Sequence, residues 1–256
     1  MSILILSSHV AASRVGGSAQ VAALERMGVE TIFIPTVLFG RHPGLGPPGG
    51  AATPRDILEG MIEGVTVSGA LTGAQAMITG YFATADQVSA GARLIDAVRV
   101  ANPAARILVD PIMGDEGRGL YVREEVADAI AGLLVPRADI LAPNAWELAR
   151  LSGRPVSDPA SARAAAKTLG RTVLASSIPL GDEIGVMLAS PEGAILARHP
   201  RLPADPKGAG DLLTAIFAGS LVSRHSSTDA LAAATAETAA LVGGHPVEIT
   251  LERFDG

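Results

Sequence analysis

The stretch ILVDPIMGD, residues 107–115, joins a continuous apolar run to a loop that carries two carboxylates. An apolar run without alternation is typical of a strand that is buried on both faces, as the strands of parallel sheets are. Ligands of such sheets bind beyond the carboxyl ends of the strands. The stretch therefore predicts an α/β fold, with Asp110 and Asp115 at the edge of the sheet where a site is expected.

The same alternation of buried strands and helices runs through most of the chain. We therefore expect one domain, residues 1–256, with a mostly parallel central sheet and helices on both of its faces. The expected strands are residues 3–6, 31–35, 74–80, 107–109, 140–141 and 172–174. The expected helices are residues 19–28, 54–64, 85–102, 124–134, 160–170, 211–224 and 228–242.

Two segments depart from this alternation. Residues 183–198 contain two short apolar runs joined by the turn SPEG, which predicts antiparallel edge strands. Residues 38–53, LFGRHPGLGPPGGAAT, are so rich in glycine and proline that we expect a long loop without helix or strand. At its end Thr53 is expected to cap the next helix, with Pro54 at the first helical position.

Composition narrows the class of ligand. The net charge is -6 at pH 7 and aromatic residues make up 3% of the chain, so neither a basic surface nor a stacking platform for nucleic acid is expected. The chain has no cysteine, which suits a reducing compartment, and no window reaches the roughly 18 apolar residues of a membrane span. We therefore expect a cytoplasmic protein that binds a small molecule, with no nucleic-acid or membrane partner.

Residues 207–217, KGAGDLLTAIF, place one carboxylate between a glycine-rich turn and an apolar helix. Gly208, Ala209 and Gly210 can present backbone N–H groups at a helix amino end, which favours a bound anion such as a phosphoryl group. Asp211 beside that cradle can accept a proton from an attacking hydroxyl group. The alternative at this point is that Asp211 caps the helix and the glycines only form the turn.

Two further motifs follow directly after predicted strands. Asp110 and Asp115 can serve Mg²⁺ and its water shell, although turn formation explains them equally well. Asn144 and Glu147, three residues apart, lie on the same side of a helical turn and point to metal or phosphate binding. The alternative interpretation of this pair is that Asn144 caps the helix.

Taken in order, these motifs resemble those of the ribokinase-like superfamily, and within it the pyridoxal kinases, which phosphorylate vitamin B6 with ATP. Three segments are similar to motifs on the vitamin side of that family: LSSHVAASRVGGSA (6–19), TVLFGRHPGLG (36–46) and ITGYFATADQ (78–87). Three are similar to its nucleotide-side motifs: DPIMGDEGRGLYV (110–122), LAPNAWELARLSG (141–153) and KGAGDLLTAIF (207–217). The resemblance covers nearly the whole chain and implies a ribokinase-like fold and a homodimer.

The resemblance also implies a role for each matched residue. Asp211 is implied as the base for the 5′-hydroxymethyl group of the vitamin, and Gly208, Ala209 and Gly210 as the anion hole of the transferred phosphoryl group. The residues implied in ATP binding are Asp110, Asn144, Glu147, Ser176, Tyr121 and Gly210, with Asp110, Asp115 and Glu147 serving Mg²⁺. Those implied in vitamin binding are Ser8, Val15, His42, Tyr81 and Asp211.

Four positions depart from the family pattern. Pro43 stands where a threonine that contacts the vitamin is usual, and Gly17 stands where an asparagine is usual. Ala142 and Ala175 stand where hydroxyl residues are usual, which bears on a monovalent cation on the nucleotide side. Two alternatives therefore stay open: a ribokinase-like kinase of another small alcohol, such as hydroxymethylpyrimidine, and a protein that binds the vitamin without turnover.

Overall fold

The structure is a computed structural model that describes residues 2–202 and 207–254. Its strands are β1 (Ser2–Val10), β2 (Glu30–Phe39), β3 (Gly50–Ala52), β4 (Ala74–Thr79), β5 (Arg106–Val109), β6 (Gly114–Asp115), β7 (Gly119–Leu120), β8 (Ile140–Leu141), β9 (Thr172–Leu180), β10 (Glu183–Ser190), β11 (Gly193–Pro200) and β12 (Thr250–Arg253). Its helices are α1 (Gly16–Arg26), α2 (Arg55–Val67), α3 (Ala85–Ala101), α4 (Glu124–Ala129), α5 (Ala145–Ser152), α6 (Pro159–Thr168), α7 (Ala209–Val222) and α8 (Ser227–Gly243). A π-helical turn, Ile130–Leu134, continues α4.

The described residues form one large mixed sheet with the strand order β12-β11-β10-β9-β8-β5-β4-β1-β2-β3. The central strands from β9 to β2 pair in parallel, whereas β3 at one edge and β10, β11 and β12 at the other pair antiparallel. Strands β6 and β7 form a separate hairpin. The predicted fold class is therefore confirmed, including the antiparallel pair around the turn at residues 190–193.

Both faces of the sheet are covered by helices. In β1, Leu4 and Leu6 pack into a core with helices α2 to α6, whereas Ile3 and Ile5 pack into a second core with α1, α7 and α8. All four side chains are fully buried. This burial explains why the strands are continuously apolar in sequence. None of the described helices has the length and apolar character needed to cross a membrane.

The prediction of an unstructured loop over residues 38–53 is wrong. Strand β2 continues to Phe39, and β3 pairs with it antiparallel, with Val37 opposite Ala52 and Phe39 opposite Gly50. The strands form because the residues at both ends of this segment pair with each other, while most of its glycine and proline lies in the connection between them. The Gly40 N–H donates to the carbonyl groups of Pro48 and Gly49 and so closes that connection.

The predicted cap of the second helix is also wrong. Helix α2 begins at Arg55, and Pro54 rather than Thr53 occupies its N-cap position. The Thr53 N–H donates to the Thr36 carbonyl at 2.9 Å. Its hydroxyl donates to the Pro35 carbonyl at 2.8 Å. Thr53 therefore extends the contacts of β3 with β2 instead of capping the helix.

Helix α3 provides a matched test of which face packs on the sheet. Val98 is fully buried, whereas Val100, on the same helix, is 85% exposed. We expect Val98→Ala to lower the free energy of unfolding by about 2 kcal/mol, because it removes buried methyl groups and leaves a cavity. Val100→Ala should leave the stability unchanged or slightly raise it, because alanine favours helix. Chemical denaturation measures both, and equal effects would contradict the packing described.

Candidate active site

A cavity of about 830 Å³ opens at the carboxyl ends of the parallel strands. Tyr81 follows β4, Asp110 follows β5 and Asn144 follows β8. The lining contains every residue that the sequence placed in the site: Ser8, Val15, His42, Tyr81, Asp110, Asp115, Tyr121, Asn144, Glu147, Ser176, Gly208, Ala209, Gly210 and Asp211. The expected vitamin side and nucleotide side therefore meet in one cavity, and the roles of the individual residues stay predictions.

Asp211 is buried in the first turn of α7, where it is held by another helix. Its Oδ2 accepts a hydrogen bond from the Gly16 N–H at 2.8 Å. Its Oδ1 has no hydrogen-bond partner among the described residues. Burial raises the pKa of Asp211 to about 6, and the hydrogen bond from Gly16 opposes that rise. One oxygen is thus fixed and the other is free to accept a proton.

The capping alternative for Asp211 does not hold for its own helix. The N-cap of α7 is Gly208, and Asp211 lies within the first turn. Within the described residues, Val15 at the N-cap of α1 supplies no side-chain hydrogen bond, and the first turn of α1 has no acidic residue. Asp211 therefore caps α1, across 195 residues of sequence.

The glycines of the turn before α7 have different structural reasons. Gly208 has φ of +91°, and a Cβ there would lie 2.5 Å from the carbonyl oxygen of Arg14. A Cβ on Gly210 would meet nothing within 4 Å, so its place in the cavity wall leaves room for a ligand. Helix α7 receives no capping hydrogen bond from its N-cap residue, Gly208, which has no side chain. Its first-turn N–H groups can therefore serve a bound anion.

Asp110 is the second buried carboxylate of the cavity and is 5% exposed. The hydroxyl of Thr214 donates to its Oδ2 at 3.0 Å. Burial, together with the negative charges of Glu147 and Asp211, raises the pKa of Asp110 well above its ordinary value. Two residues later, Ile112 has φ of +42°, a conformation that is costly for a β-branched residue. The loop after β5 is therefore held in a strained backbone conformation at the cavity wall.

Asn144 and Glu147 form a reciprocal capping box at the start of α5. Glu147 Oε1 accepts from the Met113 N–H at 2.7 Å and from the Gly114 N–H at 3.4 Å. The side chain of Asn144 donates to the Gly114 carbonyl at 2.9 Å. Burial raises the pKa of Glu147 to about 7, and its backbone hydrogen bonds oppose that rise. The capping interpretation of Asn144 is therefore correct, and the pair also fixes the loop after β5.

The acidic residues fit a hydrated metal better than a directly ligated one. The described residues contain no group of three acidic or imidazole side chains that could hold a metal ion. Both oxygens of Glu147 accept backbone hydrogen bonds. Asp110 and the half-buried Asp115 remain to face the cavity. Mg²⁺ keeps several of its waters in proteins, so this donor set fits Mg²⁺ that is bound mainly through water and nucleotide phosphates.

The residues expected on the vitamin side come from three separate segments. Ser8 is buried near the end of β1, and a Cβ on Gly16 would lie 2.0 Å from its hydroxyl oxygen. Burial raises the pKa of Tyr81. The Thr36 hydroxyl donates to the Tyr81 carbonyl, and the Tyr81 N–H donates to the Ser7 hydroxyl oxygen. These contacts bring the ends of three neighbouring strands together at one wall of the cavity.

His42 is fixed in the connection between β2 and β3. Its Nδ1 accepts from the Gly44 N–H at 2.9 Å. Burial and the positive charges of Lys207 and Arg118 lower its pKa. The lowered pKa disfavours the charged form of the imidazole.

The four departures from the family pattern have different surroundings. A Cβ on Gly17 would lie 2.2 Å from the ring of Phe33, so an asparagine does not fit there while Phe33 keeps its place. Pro43 and Ala142 line the cavity, whereas Ala175 is buried with 1% exposure. Neither alanine offers a side-chain oxygen. Of the two departures expected on the vitamin side, Pro43 lines the cavity, whereas Gly17 packs against Phe33.

Sequence reasoning missed several parts of the site. Gly16 holds Asp211, Thr214 holds Asp110, and Arg118 at the tip of the β6–β7 hairpin lines the cavity. An apolar wall from β10, α7 and α8 was also missed; it consists of Val186, Leu213, Ala239 and Val242. The glycine pair at residues 16–17 was a visible signal for Gly16, whereas the contacts of Thr214 depend on how α7 packs.

Comparison with known proteins places the chain in a family. A family model described as phosphomethylpyrimidine kinase matches residues 16–250. A pyridoxal kinase of Corynebacterium diphtheriae is 35% identical over 240 residues, covering 91% of this chain and 85% of the relative. The chain belongs to this family of phosphomethylpyrimidine and pyridoxal kinases. The resemblance drawn from the six sequence motifs is therefore confirmed.

Solved structures of pyridoxal kinases have the same fold as this chain. The enzyme of Entamoeba histolytica superimposes with a TM-score of 0.92 at 23% identity and covers 99% of both chains. The enzyme of Leishmania donovani, in complex with ADP and pyridoxine, superimposes with a TM-score of 0.86 at 27% identity, covering 95% of this chain and 86% of that one. The ribokinase-like fold is therefore shared over essentially the full length.

The two glycines before Asp211 give a matched test of the turn. We expect Gly208→Ala to destabilise the protein by about 1–3 kcal/mol, because alanine is strained at positive φ and its Cβ would collide with Arg14. Gly210→Ala should instead raise the free energy of unfolding by up to about 1 kcal/mol, because it replaces glycine inside a helix and meets open space. Denaturant titration of both variants gives the answer. Equal destabilisation would show that the turn is built differently.

Proposed function

We propose that the chain transfers the γ-phosphoryl group of ATP to the 5′-hydroxymethyl group of pyridoxal, pyridoxine or pyridoxamine. The observation that carries the proposal is the free Oδ1 of Asp211, buried in the cavity wall beside the glycine turn of α7. The curated relatives named pyridoxal kinase support the B6 vitamer as the acceptor. A related structure that holds ADP and pyridoxine supports the same pair of ligands.

In this proposal, Asp211 Oδ1 accepts the proton of the acceptor hydroxyl group as its oxygen attacks the γ-phosphorus atom. The Gly16 N–H keeps Oδ2 in place, so the carboxylate has no rotation to lose when the acceptor binds. The first-turn N–H groups of α7, at residues 209 and 210, stabilise the negative charge of the transferred group. The reaction needs positioning and charge stabilisation, without a covalent enzyme intermediate.

The proposed nucleotide side contains Asp110, Asp115, Asn144 and Glu147, with Ser176 and Tyr121 at the same cavity. Asp110 and Asp115 would hold Mg²⁺ through its water shell, and the ion would neutralise charge on the β- and γ-phosphates. Glu147 and Asn144 would act by fixing the loop that carries these two carboxylates. The alanines at 142 and 175 argue against a side-chain oxygen for a monovalent cation, so such a cation would depend on backbone carbonyl groups.

The proposed vitamin side contains Ser8, Val15, His42 and Tyr81. Tyr81 offers a ring face for the pyridine ring of the vitamin, and Ser8 offers a hydrogen bond to a ring substituent or ring nitrogen. Because His42 Nδ1 accepts from the Gly44 N–H, the other ring nitrogen of His42 can donate a hydrogen bond to the vitamin. The proposal extends to a homodimer, which the family resemblance supports. It also extends to the cytoplasm, which the lack of cysteine supports.

A second acceptor is favoured by two specific observations. The matching family model is described as phosphomethylpyrimidine kinase, and Pro43 removes both a hydroxyl and an N–H group from the vitamin-side wall. Hydroxymethylpyrimidine carries the same kind of reactive group, a hydroxymethyl on a nitrogen heterocycle. A protein that binds a vitamer without turnover is the weaker alternative, because Asp211 and the two glycines before it, Gly208 and Gly210, are present.

A substrate panel tests the proposed function. Purified protein with ATP and Mg²⁺ is given pyridoxal, pyridoxine, pyridoxamine, hydroxymethylpyrimidine or a sugar, and the product mass is measured together with ATP consumption. We expect phosphorylation of at least one B6 vitamer with a kcat/KM well above that of the other acceptors. A higher kcat/KM for hydroxymethylpyrimidine would change the assigned substrate but not the mechanism. No phosphorylation of any acceptor would contradict the kinase proposal.

Asp211→Asn tests the assigned base. The substitution removes the basic oxygen but keeps an oxygen that can accept from the Gly16 N–H, so the fold and ADP binding should persist. We expect kcat to fall by at least about a hundredfold, as loss of a general base does. ADP affinity, measured by calorimetry, serves as the control. Turnover close to that of the unchanged protein would contradict the role assigned to Asp211.

The two tyrosines of the chain, Tyr81 and Tyr121, provide a matched pair. Tyr81→Ala should weaken binding of the vitamer, because it removes the ring face, and should leave ADP affinity nearly unchanged. Tyr121→Ala, in the segment after β7, should weaken nucleotide binding more than vitamer binding. Calorimetric titration of each ligand into each variant measures the contrast. Equal losses for both ligands in both variants would contradict the division of the cavity into two sides.

A further inference from the structure

Thr214 lies on α7, one helical turn after Asp211, and is 1% exposed. Its hydroxyl donates to Asp110 Oδ2 at 3.0 Å, across 104 residues of sequence. A threonine inside a helix commonly donates back to the carbonyl group four residues earlier. Here the hydroxyl donates instead to a carboxylate at the end of the central strand β5.

The surroundings of Thr214 make this hydrogen bond costly to lose. The neighbouring residues of α7 that are buried with it, Leu213, Ala215, Ile216 and Phe217, are all apolar. A buried hydroxyl and a buried carboxylate both pay a large desolvation cost unless they are paired. The Ile112 backbone opposes the rise in the pKa of Asp110, as the Thr214 hydroxyl does. The hydrogen bond from Thr214 holds one oxygen of this carboxylate in the cavity wall.

We infer that Thr214 is a positioning residue for nucleotide binding, acting through Asp110. Its hydroxyl holds Oδ2, so that the Asp110 carboxylate keeps one orientation toward the hydrated Mg²⁺ and the nucleotide phosphates. Helix α7 then carries both the proposed base and the group that orients the proposed metal carboxylate. The inference rests on the proposed nucleotide role of Asp110.

The test compares Thr214→Val, which keeps the shape and removes the hydroxyl, with Thr214→Ser, which keeps the hydroxyl. ADP is titrated into each folded variant by calorimetry in the presence of Mg²⁺, and thermal melting checks the fold. We expect Thr214→Val to weaken Mg²⁺-ADP binding by about tenfold, the usual worth of a hydrogen bond to a charged group. Thr214→Ser should restore the affinity, and the affinity for the B6 vitamer should stay unchanged in both variants.

Unchanged Mg²⁺-ADP affinity in Thr214→Val would overturn the inference, and so would equal weakening in the valine and serine variants. If the valine variant melts well below the others, Thr214→Ala carries the same test, and unchanged nucleotide affinity in that variant again overturns the inference. Asp110→Asn separates the two levels of the argument. Weakened Mg²⁺-ADP binding in Asp110→Asn, with none in Thr214→Val, would refute the role of Thr214 alone. No weakening in Asp110→Asn would refute the proposed role of Asp110 itself.

Discussion

The hydrogen bond from the Gly16 N–H to Asp211 Oδ2 joins two segments of the cavity wall that lie 195 residues apart in sequence. It joins the amino ends of α1 and α7, which are far apart in sequence and which both lack a side-chain cap from their own N-cap residues. Two helix amino ends therefore act on one buried carboxylate, and both favour its negative charge. Because Gly16 also packs against Ser8, the same contact links the proposed base to the end of β1 in the cavity wall.

A second set of contacts stabilises the acidic loop after β5. Glu147 accepts from the backbone of that loop, Asn144 donates to it, and Thr214 orients Asp110 at its start. Burial is the larger cause of the raised pKa of Asp110, and repulsion from the negative charges of Glu147 and Asp211 adds to it. A polyphosphate alone would add to this repulsion, whereas a nucleotide with its divalent cation would relieve it. The electrostatics of the cavity therefore favour a nucleotide that carries a cation over a free anion.

The sequence predicted the parallel sheet because its strands are buried on both faces and so read as apolar runs such as residues 3–6 and 107–109. The residues it proposed for a site line one cavity, and those chosen by position, such as Asp110 and Asn144, follow strands. It missed β3 because this strand has only three residues, GAA, which carry no local strand signal, and it is defined by its pairing with β2. Thr214 and Gly16 were missed because their contacts join segments more than 100 residues apart.

Asp211 is a buried carboxylate with one hydrogen-bonded oxygen and one oxygen that has no partner among the described residues, and we propose that it takes the proton of the acceptor. An NMR titration of protein labelled with ¹³C at the aspartate carboxyl groups measures this directly, with the Asp211→Asn variant used to assign the resonance. We expect the resonance that is absent from the spectrum of the variant to titrate near pH 6, because burial raises the pKa of Asp211. A resonance that titrates near the ordinary aspartate pKa of about 3.9 would show a solvated carboxylate and contradict the account.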